Sequence, residues 1–103
     1  MDNSTIIEHV QTTMNGLESI QYNRSSIAQS SISLFKTSYN GIAFLKDDTP
    51  KLKQAVRMWL QIIESQILNL DNDSYTLIES LPNNEDTLWM KCILLLKKEI
   101  DTN

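Results

Sequence analysis

The chain has 103 residues and a net charge of −4, with 41% apolar and 21% charged side chains, two glycines, two prolines and one cysteine. That apolar fraction excludes intrinsic disorder, so few turn formers exclude a turn-rich all-β fold, and a lone cysteine excludes an internal disulfide. An all-α fold remains, a small helical bundle, and the length is that of a single helical domain spanning residues 1–103.

The first predicted helix is long. Thr5 with Glu8 three residues later makes a capping box, in which the threonine oxygen accepts from a free helix-end N–H and the glutamate reaches back. Two heptad series follow, one of Ile6, Thr13, Ile20, Ile27 and Leu34, the other of Val10, Leu17, Arg24, Ser31 and Ser38. Together they form a 4-3-4-3 seam of the coiled-coil kind, which seats one helix against another. No proline falls before Pro50, so the pattern predicts one helix over about residues 5–38, which at 1.5 Å per residue is ~50 Å long. A compact chain of this size has a radius of gyration of only ~13 Å. The helix therefore either breaks or belongs to an elongated molecule with a partner along its length. Gly16 and the many Ser, Thr, Asn and Gln residues weaken a straight helix. After Arg24 the apolar face drifts to Ala28, Ile32, Phe35, Tyr39 and Ile42, as a helix without supercoil would make it do.

Asn40-Gly41 reads as a turn or helix end, with the apolar Ile42 to Leu45 patch in a connection. Thr49 as N-cap and Pro50 at the first helical position start a second helix over about 50–70. Its face of Leu52, Ala55, Val56, Trp59, Leu60, Ile62, Ile63, Ile67 and Leu70 is wide enough for two neighbours at once. A short helix over about 74–81, capped by Asp73 or Ser74, stops at Pro82. The last helix, about 85–100, has Asn84 as its cap and Lys97 and Lys98 near its negative end, and it buries Leu88, Trp89, Cys92, Ile93, Leu95, Leu96 and Ile100.

No constellation of catalytic type appears. His9 is the only histidine and has no acidic partner at metal-ligand or triad spacing, and Cys92 has no second thiol or nearby histidine. Asp71-Asn72-Asp73 opens like a calcium loop, but Thr76 stands where the glycine belongs and Pro82 where the bidentate glutamate belongs. Two isolated glycines build no phosphate loop. The expectation is a protein that is not an enzyme, with no cofactor, no metal and no small-molecule substrate.

Partners are constrained by charge. Nucleic-acid affinity comes from neutralising phosphates, and Lys46, Lys51, Lys53 and Arg57 around one helix start read as a solvated end, which argues against nucleic acid. No basic leader with an apolar segment opens the chain, and its longest apolar run, 92–96, is far short of a bilayer span. An intracellular protein, cytoplasmic or nuclear and without a membrane anchor, is expected. The seam points to a non-enzymatic interaction or assembly subunit, an adaptor binding a protein in a homo- or hetero-oligomer. Its expected contact residues are Ile6, Val10, Leu17, Ile20, Arg24, Ile27 and Leu34, with Arg24 setting register or meeting an acid. The alternative is an acidic inhibitor or immunity-type protein that blocks a basic target through 71–86, where Asp71, Asp73, Glu79, Glu85 and Asp86 stand without Lys or Arg.

Overall fold

A computed structural model describes residues 2–20, 26–68, 72–82 and 85–101, and among these no strand occurs. The helices are α1 (Asn3–Ile20), α2 (Ser26–Phe44), α3 (Thr49–Ile63), α4 (Asn72–Ser80) and α5 (Glu85–Asp101), and a π-helical turn, Glu64–Leu68, continues α3.

The expected single helix over 5–38 is two helices folded into an antiparallel pair. The Glu18 carboxylate lies 3.0 Å from the Lys36 ammonium, whereas one straight helix would hold their backbones ~27 Å apart. At the other end of the pair Asn3 donates to the Lys46 carbonyl at 2.8 Å and to the Thr49 hydroxyl at 2.9 Å. Residues 21–25, Arg24 among them, lie outside the described residues. Folding back is what the apolar stripes require, because Ile6, Val10 and Leu17 of α1 and Ile32, Phe35 and Ile42 of α2 enter one core that a straight rod could not close. The radius of gyration is 13.1 Å, so the elongated alternative is not adopted.

Local signals moved by a few residues. Asp2, not Thr5, caps α1: its carboxylate accepts from the Thr5 N–H at 2.8 Å and the Thr5 hydroxyl at 2.9 Å. Those bonds favour the ionised form and hold the Asp2 carboxyl below its usual range. Asn40-Gly41 is not a turn. The helix runs through both because Ile42 is buried beyond them and anchors the last turn. The chain turns at 45–47, where the Leu45 N–H donates to the Ile42 carbonyl at 3.0 Å and the Asp48 N–H to the Leu45 carbonyl at 2.9 Å. Asp48 then caps α3 in place of Thr49, with its carboxylate accepting from the Lys51 N–H at 3.2 Å. Pro50 sits in the first turn, where a missing N–H breaks no helical bond. The caps expected at Asp73, Ser74 and Asn84 fall on an undescribed residue or on side chains that are not described.

The core gathers α1, α2, α3 and α5. Trp89, Ile93, Leu96 and Ile100 make the inner stripe of α5, and Leu52, Val56, Trp59, Leu60 and Ile63 that of α3. Gly16 permits a close approach of α1 to α5, since a Cβ built on it would overlap the Cβ of Trp89 and stand 3.0 Å from its Cγ. The short helix α4 rests on α5 through buried Ile78, a Glu79–Lys98 ion pair and a bond from the Lys91 ammonium to the Leu81 carbonyl.

Two glycines in regular helix thus predict opposite responses to one substitution. Gly16→Ala should destabilise the fold by about 1–3 kcal/mol, because the neighbour it strikes is the stem of Trp89 and not a mobile side-chain tip. A Cβ on Gly41 would meet nothing within 4 Å, so Gly41→Ala should stabilise by up to about 1 kcal/mol. Denaturant titrations of both variants measure the two signs.

Asp2 gives a pH signature. A carboxyl held low in the folded state stabilises above its unfolded pKa, and that contribution disappears as pH falls through the lower folded value. The Thr5 amide shift, followed by NMR, should stay constant from pH 7 down to the ordinary aspartate range of about 4 and move only below it. Asp2→Ala should abolish that low-pH step.

Candidate interaction surface

The expected seam divides between core and surface. Ile6, Val10 and Leu17 are buried within the chain's own core, so in this fold they are not a surface open to a second chain. The heptad spacing that suggested a partner packs α1 inside the bundle. Leu34 is the exception, 56% exposed on α2. Ile20 ends α1 and Ile27 begins α2, with side chains outside the description, as is all of Arg24.

The chemistry-bearing residues are not drawn together. Cys92 is buried, and desolvation pushes its thiol up, away from the nucleophilic thiolate. Among the described residues no three His, Cys, Asp or Glu side chains gather as a metal site. In the acidic 71–86 stretch Glu79 is tied to Lys98, while Asp71 is outside the described residues and the side chains of Asp73, Glu85 and Asp86 are not described. The basic stretch is also engaged: Lys51 pairs with Asp48 at 3.7 Å, and Arg57 donates to the Ile100 carbonyl at 2.8 Å beside Asp101. A crevice of about 220 Å³ between α3 and α5 is bordered by Arg57, Glu64, Lys97 and Asp101. Its charges cancel within the site, because Lys97 lies 3.5 Å from Glu64 and Arg57 lies 3.8 Å from Asp101. Those pairs serve to close the C-terminal end of α5 and join it to the π-helical turn.

A different surface stands out between α2 and α3. The wide apolar face of α3 is wider than the core uses, so Ala55, Met58 and Ile62 are left along one edge. With Ser38, Gly41 and Ile42 of α2 and Leu45 of the following turn they wall an apolar groove of about 340 Å³, and Trp59 also lines it. Met58 is 58% exposed there, and Phe44 on the outer side of α2 is 87% exposed. The exposed residues Ser30, Leu34, Thr37, Gly41 and Phe44 follow one another at 4-3-4-3 spacing down α2. None is charged.

The whole of α2 carries a single charge, Lys36, and that ammonium is held by Glu18 on the α1 side. The polar groups of the face are engaged with their own helix: Thr37 donates to the Ser33 carbonyl at 3.2 Å and Ser38 to the Leu34 carbonyl at 3.1 Å. Such hydroxyls lose little when water is removed, because their bonds are internal. Reading by residue pattern missed Gly41, Phe44 and Met58. The signal that could have found them was the near absence of charge over residues 26–44, coupled to an α3 face too broad for its neighbours.

No protein-family model, no curated protein and no solved structure matches this chain. Among the described residues no helix is long and apolar enough to cross a membrane.

Two substitutions separate core from surface. Val10→Asp should cost at least about 3 kcal/mol, since it places a charge in a fully buried site with no partner. Leu34→Asp should stay within about 0.5 kcal/mol of the parent, as expected for an exposed position. Thermal unfolding followed by circular dichroism reads both.

Proposed function

We propose that this chain is a non-enzymatic helical interaction subunit that docks a protein through the face formed by α2 and the adjoining edge of α3. The observation that carries this reading is the exposure of Leu34, Phe44 and Met58 beside a helix, α2, whose single charge, Lys36, is already paired with Glu18. Interface centres are distinguished by depletion of charge and by enrichment in aromatic residues and methionine, whereas scattered single apolar residues on a surface signify nothing. Here exposed Met58 lines an apolar groove, exposed Leu34 and Phe44 stand on the adjoining helix α2, and the hydroxyls of Thr37 and Ser38 are bonded within that helix. Exposed Leu77 and Leu88 lie instead on α4 and α5, and exposed Leu95 lies among Glu79, Lys91 and Lys98, a mixed surface of ordinary solvated type.

The interaction keeps the adaptor character expected from the sequence and moves its contact residues. Among the seam residues whose side chains are described, Leu34 carries over as a surface group, and Gly41, Phe44 and Met58 join it. Association then rests on apolar burial at about 25 cal/mol per Å², reduced by the entropy lost when two bodies join.

Photocrosslinking tests this directly. A benzoyl-phenylalanine placed at position 44 should, in cells expressing the chain at its natural level, give an adduct of one defined protein mass. The same group at position 88 should give none. Absence of a discrete adduct from position 44, or identical adducts from both positions, overturns the assignment.

A further inference from the structure

We infer that the occupant of the α2–α3 face is a second copy of this chain, with the two α2 helices packed antiparallel about a two-fold axis at the level of Tyr39. The inference rests on the interaction reading above and names its partner.

The first support is the order of the exposed stripe. Leu34 and Phe44 stand five residues on either side of Tyr39, and Thr37 and Gly41 stand two residues on either side. Reversing the helix about that point therefore maps Leu34 onto Phe44 and Thr37 onto Gly41. A two-fold interface requires this property, since the same patch must complement itself. In the antiparallel pair each bulky end meets the other copy's bulky end, Leu34 against Phe44, while Thr37 lies against Gly41 in the middle. Small residues at the centre let the backbones approach.

Gly41 has no other task in the chain. It lies in regular helix, and nothing lies within 4 Å of where its Cβ would be, so neither backbone conformation nor internal packing calls for glycine there. A glycine in a helix interior is unfavourable against alanine. Close approach by a second helix is the one circumstance on this face that makes the missing Cβ useful.

Charge is the second support. Each copy carries −4, so two copies repel over most of their surfaces. The α2 face is where they can meet without bringing charges together, because its single lysine is already paired with Glu18 at 3.0 Å. A basic partner would gain nothing from a face with no acid on it.

Area sets the strength. A helix of 19 residues is about 28 Å long, and with a neighbour packed 8–10 Å away it offers a face about 20 Å wide. The projected area is then roughly 550 Å², below the ~800 Å² per partner of a standard stable complex. The dimer should accordingly be concentration-dependent, with a dissociation constant in the micromolar range.

Sedimentation equilibrium of the full chain from about 1 to 500 μM provides the test. The expected mass rises from one copy to two across that range, and the association tightens between 50 and 500 mM salt as the net charges are screened. Leu34→Asp and Phe44→Asp should keep the helical signal and melting temperature while remaining monomeric, and Leu88→Asp should dimerise as the parent does. Gly41→Ala should raise the melting temperature yet weaken dimerisation at least tenfold, a pair of opposite shifts that loss of folding cannot produce. A single-copy mass at every concentration overturns the inference, as does a dimer that survives both aspartate variants. If position 44 crosslinks to a different protein while the mass stays that of one copy, the second copy is excluded and the interaction reading stands.

Discussion

The approach of α1 to α5 at Gly16 is the constraint around which the remaining packing is arranged. With no Cβ at that position the stem of Trp89 seats directly on the α1 backbone, and the inner stripes of both helices close over Val10, Leu17, Ile93 and Leu96. Once α1 has spent its apolar face on α5, only its flank is left for α2. The two helices accordingly join through the Glu18–Lys36 pair at one end and through Asn3 at the other. A surface ion pair of this kind is worth under about 1 kcal/mol, so it records the register more than it enforces it. Enforcement comes from the buried side chains of α2, chiefly Ile32, Phe35 and Ile42, which must reach the same core.

The helical class, the start of α3 within a residue, the extent of α5 and most of the inner stripes of α3 and α5 were legible in the sequence, because each depends on local chemistry: a proline in a first turn, a short capping side chain, apolar spacing at 3.6 residues; Leu88 and Leu95, expected inside, are exposed on the outer side of α5. The break between α1 and α2 was not legible. Residues 21–25 contain neither glycine nor proline, and the drift of the apolar face after Arg24 is what an unbroken helix without supercoil also shows. Periodicity reports which side of a helix is apolar and says nothing of whether the cover comes from the same chain. Only the mismatch between a ~50 Å rod and a ~13 Å globule foreshadowed the fold-back. The opposite error occurred at Asn40-Gly41, where turn chemistry was overruled by the burial of Ile42 one residue later.

The candidate surface was hidden for a related reason. Apolar seams draw attention in a sequence, but the strongest seam is the one the chain needs for itself, and Ile6, Val10 and Leu17 are buried for that purpose. What is left for a partner is weaker: a second stripe of mixed size, diluted with Ser, Thr and Gly. It becomes visible once the core is subtracted, when Leu34, Phe44 and Met58 are found on the outside, Met58 at the wall of a groove between α2 and α3.

Solubility and association place conflicting demands on such a face. A surface helix is ordinarily kept in solution by charge, and α2 has only Lys36, placed at its edge. Hydroxyls bonded to their own helix occupy the remaining positions, at Thr37 and Ser38. They hold the apolar patch below the size at which monomers aggregate indiscriminately, and because their hydrogen bonds are already made they cost little to cover. A charged residue in either position would serve solubility better and would have to be desolvated on every encounter. The composition of α2 therefore fits a surface that is exposed for part of the time and covered for the rest, which is the behaviour of a reversible contact and not of a permanently buried one.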